Sequence, residues 1–266
     1  VIKISNSAND VSIINEIKFY SSVRRIDQIP KVHSYGSYNF DGVTKSYIIL
    51  DRYRMDLREL MIKYRLDERE MDSICRSVIE ALKHCHEHGW SHGDIKDANV
   101  LVTFRTYKTI RSISKVVLTD FGLARRFRDD TGVHRRYVPN GGGRYCTCRY
   151  MSIDAHRGVV SSARSDMQSL GYSLICWYGG SLPWTNSDTP NTIFERKLEL
   201  SKTYDKNDSL HPKCKRYLHL LGYCGNINGY DDPQIYKDIL DLFGHCGNIN
   251  GYDDPQIYND IIDLFG

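Results

Sequence analysis

The chain has 266 residues, 41% hydrophobic and 26% charged, a make-up that excludes disordered and collagen-like classes and fits one large globular domain or two small ones. Its formal net charge of +3 is too small for bulk charge to make the molecule a nucleic-acid or membrane-surface binder. No apolar run is long enough to span a bilayer, and Lys3, Asp10, Glu16 and Lys18 interrupt any leader-like start, so the expectation is an intracellular protein of cytoplasm or nucleus, with its eight cysteines as thiols.

In chain order, the opening VIKI is a β-branched run that predicts a strand. Val11, Ile14, Ile17 and Phe19 then recur at helical spacing around Glu16. Two apolar segments, Ile29 to Tyr38 and Lys45 to Leu50, flank Asn39-Phe40-Asp41-Gly42, whose Asp-Gly predicts a hairpin. Past Tyr53 the period changes. Met71, Ile74, Val78, Leu82 and Cys85 make one apolar stripe stopped near Gly89. Short strands are expected at Val100–Val102 and Val116–Thr119, and the remainder reads as mostly helical, with a polar, glycine-rich stretch between Arg125 and Arg144. The expected plan is α+β, a small β-rich lobe over residues 1–53 joined to a larger, mainly helical lobe over 54–244.

Charge is unevenly spread. Residues 101–150 hold eleven Lys and Arg against three Asp, whereas residues 223–266 hold one Lys against eight Asp. Solvated faces account for both. The tail also repeats itself: Cys224 to Gly244 recurs as Cys246 to Gly266 with changes only at Lys237/Asn259 and Leu240/Ile262. Each copy reads as a helix, capped by Asp232 or Asp254 with Pro233 or Pro255 in its first turn. One fold needs one such docking helix, so residues 245–266 are read as an appendage.

The chemistry concentrates in HGDIKDANV, residues 92–100, and in the Asp120-Phe121-Gly122 that follows the second apolar run. Phosphoryl transfer asks a protein for positioning and charge compensation rather than covalent chemistry. It needs a carboxylate for the attacking hydroxyl, a cation for the moving phosphoryl group and oxygen ligands for Mg²⁺. Asp94, Lys96, Asn99 and Asp120 supply that set in order. Lys3, with Glu16 on the next helix, can form the ion pair that holds the inner phosphates. The crowded His84, Cys85, His86, His88 and His92 lack the spacing of a known zinc site, so metal binding there is not expected.

With these motifs the sequence resembles the eukaryotic protein kinases, and within them the casein-kinase-I group, closest to the vaccinia-related kinases. HGDIKDANV with Gly93, TCRYMSIDAH over residues 147–156, and RSDMQSLGYSLICWYGGSLPW over residues 164–184 carry the resemblance, and Tyr230 to Phe243 looks like the group's closing helix. The resemblance implies a two-lobed, protein-kinase-like fold with ATP in the cleft and Mg²⁺ as its metal. It implies Asp94 as catalytic base, Lys96 at the γ-phosphate, Asn99 and Asp120 on the metal, Lys3 on the ATP phosphates and Glu16 as its anchor. Leu50 would back the adenine pocket, Asp51, Arg52 and Tyr53 would form the hinge, and Asp56 would lie near the ribose. Thr147 would hydrogen-bond near Asp94 and Lys96, as in serine/threonine kinases, and Asp166 would brace the catalytic loop.

Gly93 stands where most of these kinases have Arg, so activation through a phosphorylated loop paired to that Arg is not expected. The 266 residues start at the strand that carries Lys3, so the expected small lobe is truncated: it lacks the Gly-rich loop that covers the phosphates. The implied activity is ATP-dependent phosphorylation of serine or threonine in a protein substrate by a monomer, with nucleic acid and membrane not expected as partners. The alternative is a pseudokinase or scaffold that keeps the fold with little or no transfer.

Overall fold

The structure is a computed structural model that describes residues 1–7, 10–107, 110–129, 131–133 and 148–221. The expected caps and appendage at residues 222–266 lie outside these, as do Thr147 and the glycines at 141–143.

The first strand, β1 (Ile2–Ile4), leads into helix α1 (Val11–Ser22), whose Asp10 side chain accepts the Ser12 N–H as an N-cap. Next come β2 (Val32–Phe40) and β3 (Val43–Leu50). Asp41 and Gly42 make the connection with φ of 49° and 78°, and Phe40 pairs with Val43. Both central residues of this two-residue turn need positive φ, which is why Asp-Gly was legible as a hairpin. The strands reach closer to the turn than their apolar segments suggested, because the ladder runs on through exposed polar positions. The sheet has the antiparallel order β1-β3-β2. Ile13, on α1, packs with Ile48 and Leu50 to form its small core.

After Leu50 the backbone crosses to the second lobe through residues 51–54 and the short β4 (Met55–Asp56). Helix α2 (Leu57–Lys63) follows, then α3 (Glu68–Glu87), which Asp67 and Glu70 start with a reciprocal capping box and Gly89 ends at φ +73°. Every residue of the stripe from Met71 to Cys85 is buried. This helix lies in the main core with α5 (Ala163–Trp177) and α7 (Pro212–Leu221).

Strands β5 (Trp90–Ser91) and β8 (Arg125–Arg126) pair with each other on either side of residues 92–124. Between them, β6 (Val100–Tyr107) and β7 (Ile110–Leu118) form one long antiparallel hairpin. Sequence reading anticipated only its two apolar ends. The middle is rich in Lys and Arg without the apolar alternation that marks a half-buried strand, and pairing across the hairpin holds it instead. Helices α4 (Ile153–His156) and α6 (Pro190–Thr203) complete the second lobe. Among the described residues no helix is long and apolar enough to cross a membrane, and the described cysteines, at 75, 85, 148, 176 and 214, are free.

Candidate active site

The β6–β7 register gathers the chemistry. Val100 pairs with Leu118, and the Thr119 N–H donates to the Asn99 carbonyl at 2.9 Å. The turn that ends in Asn99 and the turn that begins at Asp120 therefore leave the same end of one hairpin, although 21 residues separate them.

The first turn is held from below. Asp166, 1% exposed on α5, accepts the His92 N–H at 2.6 Å, the Gly93 N–H at 2.8 Å and the His86 Nε2–H at 2.9 Å. His92 is fixed in one tautomer: its Nδ1 accepts the Asp94 N–H at 3.2 Å, so its Nε2–H donates to the Thr119 carbonyl at 2.9 Å. Gly93 takes φ +83°, and a Cβ there would lie 2.8 Å from the Leu123 carbonyl oxygen. Only glycine takes this position without strain, which gives a local reason for the missing Arg. At the end of the turn the Asp97 carboxylate accepts Arg58 Nε at 3.2 Å and Nη2 at 3.0 Å. That bidentate pair joins α2 to the turn, and nothing in the spacing of the sequence announced it.

The polar side chains of the turn meet one another. Lys96 Nζ donates to Asp94 Oδ2. Asn99 Nδ2 donates to the Asp94 carbonyl at 2.8 Å and to Asp94 Oδ2 at 3.3 Å. Because the amide nitrogen is engaged, Oδ1 is the Asn99 atom left for a cation. Asp120, on the neighbouring turn, in the left-handed region at φ 67° and with its side chain 45% exposed, offers carboxylate oxygens. These hard oxygen donors suit Mg²⁺.

Lys3 spans the lobes. Its Nζ donates to Glu16 at 2.9 and 3.0 Å and to Asp120 Oδ1 at 3.2 Å. Burial opposes the charge on Lys3, but Glu16 and then Asp120 outweigh it and hold the ammonium above its ordinary value. At Glu16 burial wins over Lys3 and pushes the carboxyl up. At Asp120 burial pushes up, while Lys3 above all, and Lys96, pull the carboxyl below its usual range.

Helix α1 is clasped to the second turn. Phe121 stacks on Phe19 with centroids 3.7 Å apart and planes at 8°, and meets His92 at 4.8 Å. Asn15 Nδ2 donates to the Gly122 carbonyl at 3.2 Å. A Cβ on Gly122 would fall 2.0 Å from Ser12 Oγ and 3.2 Å from Ser12 Cβ, so a larger residue here needs the Ser12 side chain to turn away.

The remaining expected residues are placed as follows. Leu50, at the end of β3, is buried, and Asp51 Oδ1 lies in hydrogen-bond contact with His33 Nε2 at 2.7 Å. The Tyr53 hydroxyl is buried, and burial pushes it up to about 12. Asp56 Oδ1 accepts the Glu59 N–H at 2.7 Å, making Asp56 the N-cap of α2, a task its place before Leu57 and Glu59 signals in hindsight. The site therefore brings together Lys3, Glu16, Asp94, Lys96, Asn99 and Asp120, with Leu50, Asp51 and Tyr53 along the junction between the lobes. His86 and His92 are taken up by Asp166 and Thr119, and the His88 ring nitrogen Nδ1 lies 2.8 Å from the His84 carbonyl.

Against known proteins, the family model described as the protein kinase domain matches residues 1–238. A fowlpox virus protein named as a probable serine/threonine-protein kinase is 32% identical over 186 residues, 64% of this chain and 59% of that protein. The B1 kinase of vaccinia virus (strain Copenhagen) is 32% identical over 209 residues, 72% of this chain and 67% of that protein. A probable casein kinase I homolog of Encephalitozoon cuniculi is 29% identical over 232 residues, 83% of this chain and 66% of that protein. The chain thus spans 59 to 67% of the length of these three relatives. In fold it is similar to the structure of vaccinia related kinase 3, with a TM-score of 0.69 at 22% identity, over 91% of this chain and 80% of that one.

Proposed function

The chain belongs to the protein kinase family, and from that premise we propose that it transfers the γ-phosphoryl group of ATP to serine or threonine hydroxyls of a protein substrate. One observation carries the reading. Lys3 Nζ reaches Glu16 and Asp120 together, while Lys96 and Asn99 both donate to Asp94 on the neighbouring turn at the same end of the hairpin. A fold whose catalytic groups had decayed would have no reason to keep this convergence of buried and half-buried charge.

In the proposed mechanism Asp94 accepts the proton of the attacking hydroxyl as its oxygen bonds to the γ-phosphorus and the bond to the leaving ADP oxygen breaks. Lys96, already paired to Asp94, carries a positive charge within reach of the phosphoryl oxygens during transfer. Lys3, anchored by Glu16, binds the inner phosphates. Asn99 and Asp120 would hold Mg²⁺, which when bound supplies charge compensation to the phosphates. Stacking of Phe121 on Phe19 keeps α1 against the second turn, so Glu16 stays in register with Lys3. Asp51 and Tyr53 fit a nucleotide-base edge at the junction, whereas the capping duty of Asp56 favours a structural role over ribose contact. Thr147 keeps its proposed place beside Asp94 on the resemblance alone.

The test compares Asp94→Asn with Asp120→Asn. Asp94→Asn should lower transfer to a generic protein substrate by roughly 100-fold or more while Mg²⁺-dependent nucleotide binding stays within about twofold. Asp120→Asn should weaken that binding by about tenfold or more, because it removes a metal ligand. Equal loss of nucleotide affinity in both variants overturns the division of roles. Nucleotide binding without Asp94-dependent transfer in the wild-type chain identifies a binding module instead.

A further inference from the structure

Helix α6 buries Ile193, Lys197 and Leu200, at the spacing i, i+4, i+7 of an apolar stripe. A lysine in that stripe with no exposed surface is costly unless its ammonium is fully satisfied. It is surrounded. Nζ donates to the Cys148 carbonyl at 2.7 Å and the Met151 carbonyl at 2.6 Å, and lies 3.1 Å from His156 Nε2. Three ammonium hydrogens meet three acceptors. The rings of Tyr172 and Trp184 face the charge, with centroids at 5.0 and 5.2 Å, and stand edge to face with each other at 5.2 Å.

These three acceptors all lie in one stretch of chain, residues 148–156. Trp184 Nε1 donates to the Arg149 carbonyl at 2.8 Å, and Gln168 Oε1 accepts the Ile153 N–H at 2.6 Å. The carbonyls of residues 148, 149 and 151 are thus all held, two of them by Lys197, in the segment immediately after Thr147. His156 fits the same cage. Burial, and after it the Lys197 charge, pulls its imidazole down to about 4, while a hydrogen bond with the Cys148 backbone works the other way. The ring therefore stays neutral near pH 7 and accepts from Lys197.

We infer that Lys197 is a positioning residue for the protein substrate, its ammonium fixing the backbone of residues 148–151 as the platform on which the peptide lies. This rests on the phosphotransfer reading above. It goes beyond that reading because the acceptors that hold Lys197 lie in residues 148–156 and are not the groups assigned to the nucleotide or Asp94, so its loss should act on one substrate and spare the other. The cage requires a single compact ammonium. Arg keeps the charge, but its planar fork does not direct three N–H groups at these three acceptors.

The test uses the full chain with Lys197→Met and Lys197→Arg. Steady-state kinetics are taken against a generic protein substrate and against ATP, and amide hydrogen exchange is followed over residues 148–156. Lys197→Met should raise the KM for protein by about tenfold or more and leave the KM for ATP and the slow hydrolysis of ATP by water within about twofold. Exchange of residues 148–156 should quicken beyond what any loss of global stability accounts for, with Lys197→Arg intermediate in both readouts. Parallel changes in the two KM values, or no change in either, overturn the proposal. If Lys197→Met does not fold, the charge-conserving Lys197→Arg carries the same comparison. If the wild-type chain shows no Asp94-dependent transfer, the phosphotransfer reading fails on its own. The hold of Lys197 on residues 148–156 is then decided by exchange alone.

Discussion

Replacing Asp166 by Asn changes one buried oxygen to a nitrogen and tests the frame beneath the turn at residues 92–99. Asp166 Oδ2 accepts from His86 and the His92 amide, and Oδ1 accepts from the Gly93 amide. An asparagine has one acceptor oxygen, so in either orientation its NH₂ faces at least one buried N–H. Keeping the oxygen toward His86 and His92 is the cheaper choice and leaves the Gly93 amide opposed. Losing one charge-assisted acceptor and weakening the other two should cost about 2–4 kcal/mol. For a chain of this size that corresponds to a fall in Tm of about 5–15 °C. Differential scanning calorimetry reads the stability, and hydrogen exchange at His92 and Gly93 reads the turn, which should open before the α3 core does. Transfer should drop because Asp94 follows directly on the released Gly93 amide. A Tm within about 2 °C of wild type, with unchanged protection at residues 92 and 93, would refute the reasoning that this carboxylate carries the turn.

Three further predictions bear on the site and its support. Gly93→Arg, which installs the residue most related kinases have, should destabilise by about 2–3 kcal/mol, because the new Cβ meets the Leu123 carbonyl in a left-handed conformation; an unchanged urea midpoint would count against it. Acid sensitivity should be traceable to His156. Its folded value near 4 lies below that of an unfolded histidine, so the unfolded chain takes up the proton first. Stability from this group is therefore complete above about pH 6.5 and is lost as pH falls toward 4, by about 1–2 kcal/mol after discounting for solvent screening. His156→Gln should flatten that part of the acid slope, measured as the difference in urea midpoint between pH 7.5 and pH 5. Gly122→Ala should make the Ser12 side chain turn away at a cost of about 1 kcal/mol in urea denaturation, and adding Ser12→Ala should recover part of the loss, since the nearest remaining atom is then the Cβ of residue 12 at 3.2 Å; failure of the double variant to recover would place the strain elsewhere.

Different parts of the molecule were legible to different degrees. The Asp41-Gly42 turn was readable because few residue pairs tolerate two positive φ values in succession. The stripe of α3 was readable because one helix face lies wholly in the core. The set Asp94, Lys96, Asn99 and Asp120 stood out in the sequence because few chemistries ask for those groups in that order; the bonds by which Lys96 and Asn99 meet Asp94 and Lys3 meets Asp120 did not. The β6–β7 hairpin was legible only at its apolar ends, since its basic middle is held by cross-strand hydrogen bonds that leave no mark on side-chain pattern. Arg58 looked like any exposed helix residue, and its partnership with Asp97 depends on how α2 lies beside the catalytic turn. Asp56 read as a binding residue by resemblance, and the start of α2 claims one of its oxygens for capping.

Local chemistry, then, was settled by the order of residues along the chain: turns, caps, helix faces and the roster of groups suited to phosphoryl transfer. Which of those groups meet was settled only in three dimensions. Lys3 and Asp120 stand 117 residues apart and touch because an antiparallel sheet, a clasped helix and a hairpin register bring them together. Lys197 shows the same division more sharply. On an amphipathic helix a lysine reads as solvated, and only the packing of α6 against the carbonyls of residues 148 and 151 turns it into a buried anchor. The physical reason is that backbone carbonyls carry no sequence identity, so a side chain that binds them cannot be foreseen from composition or spacing.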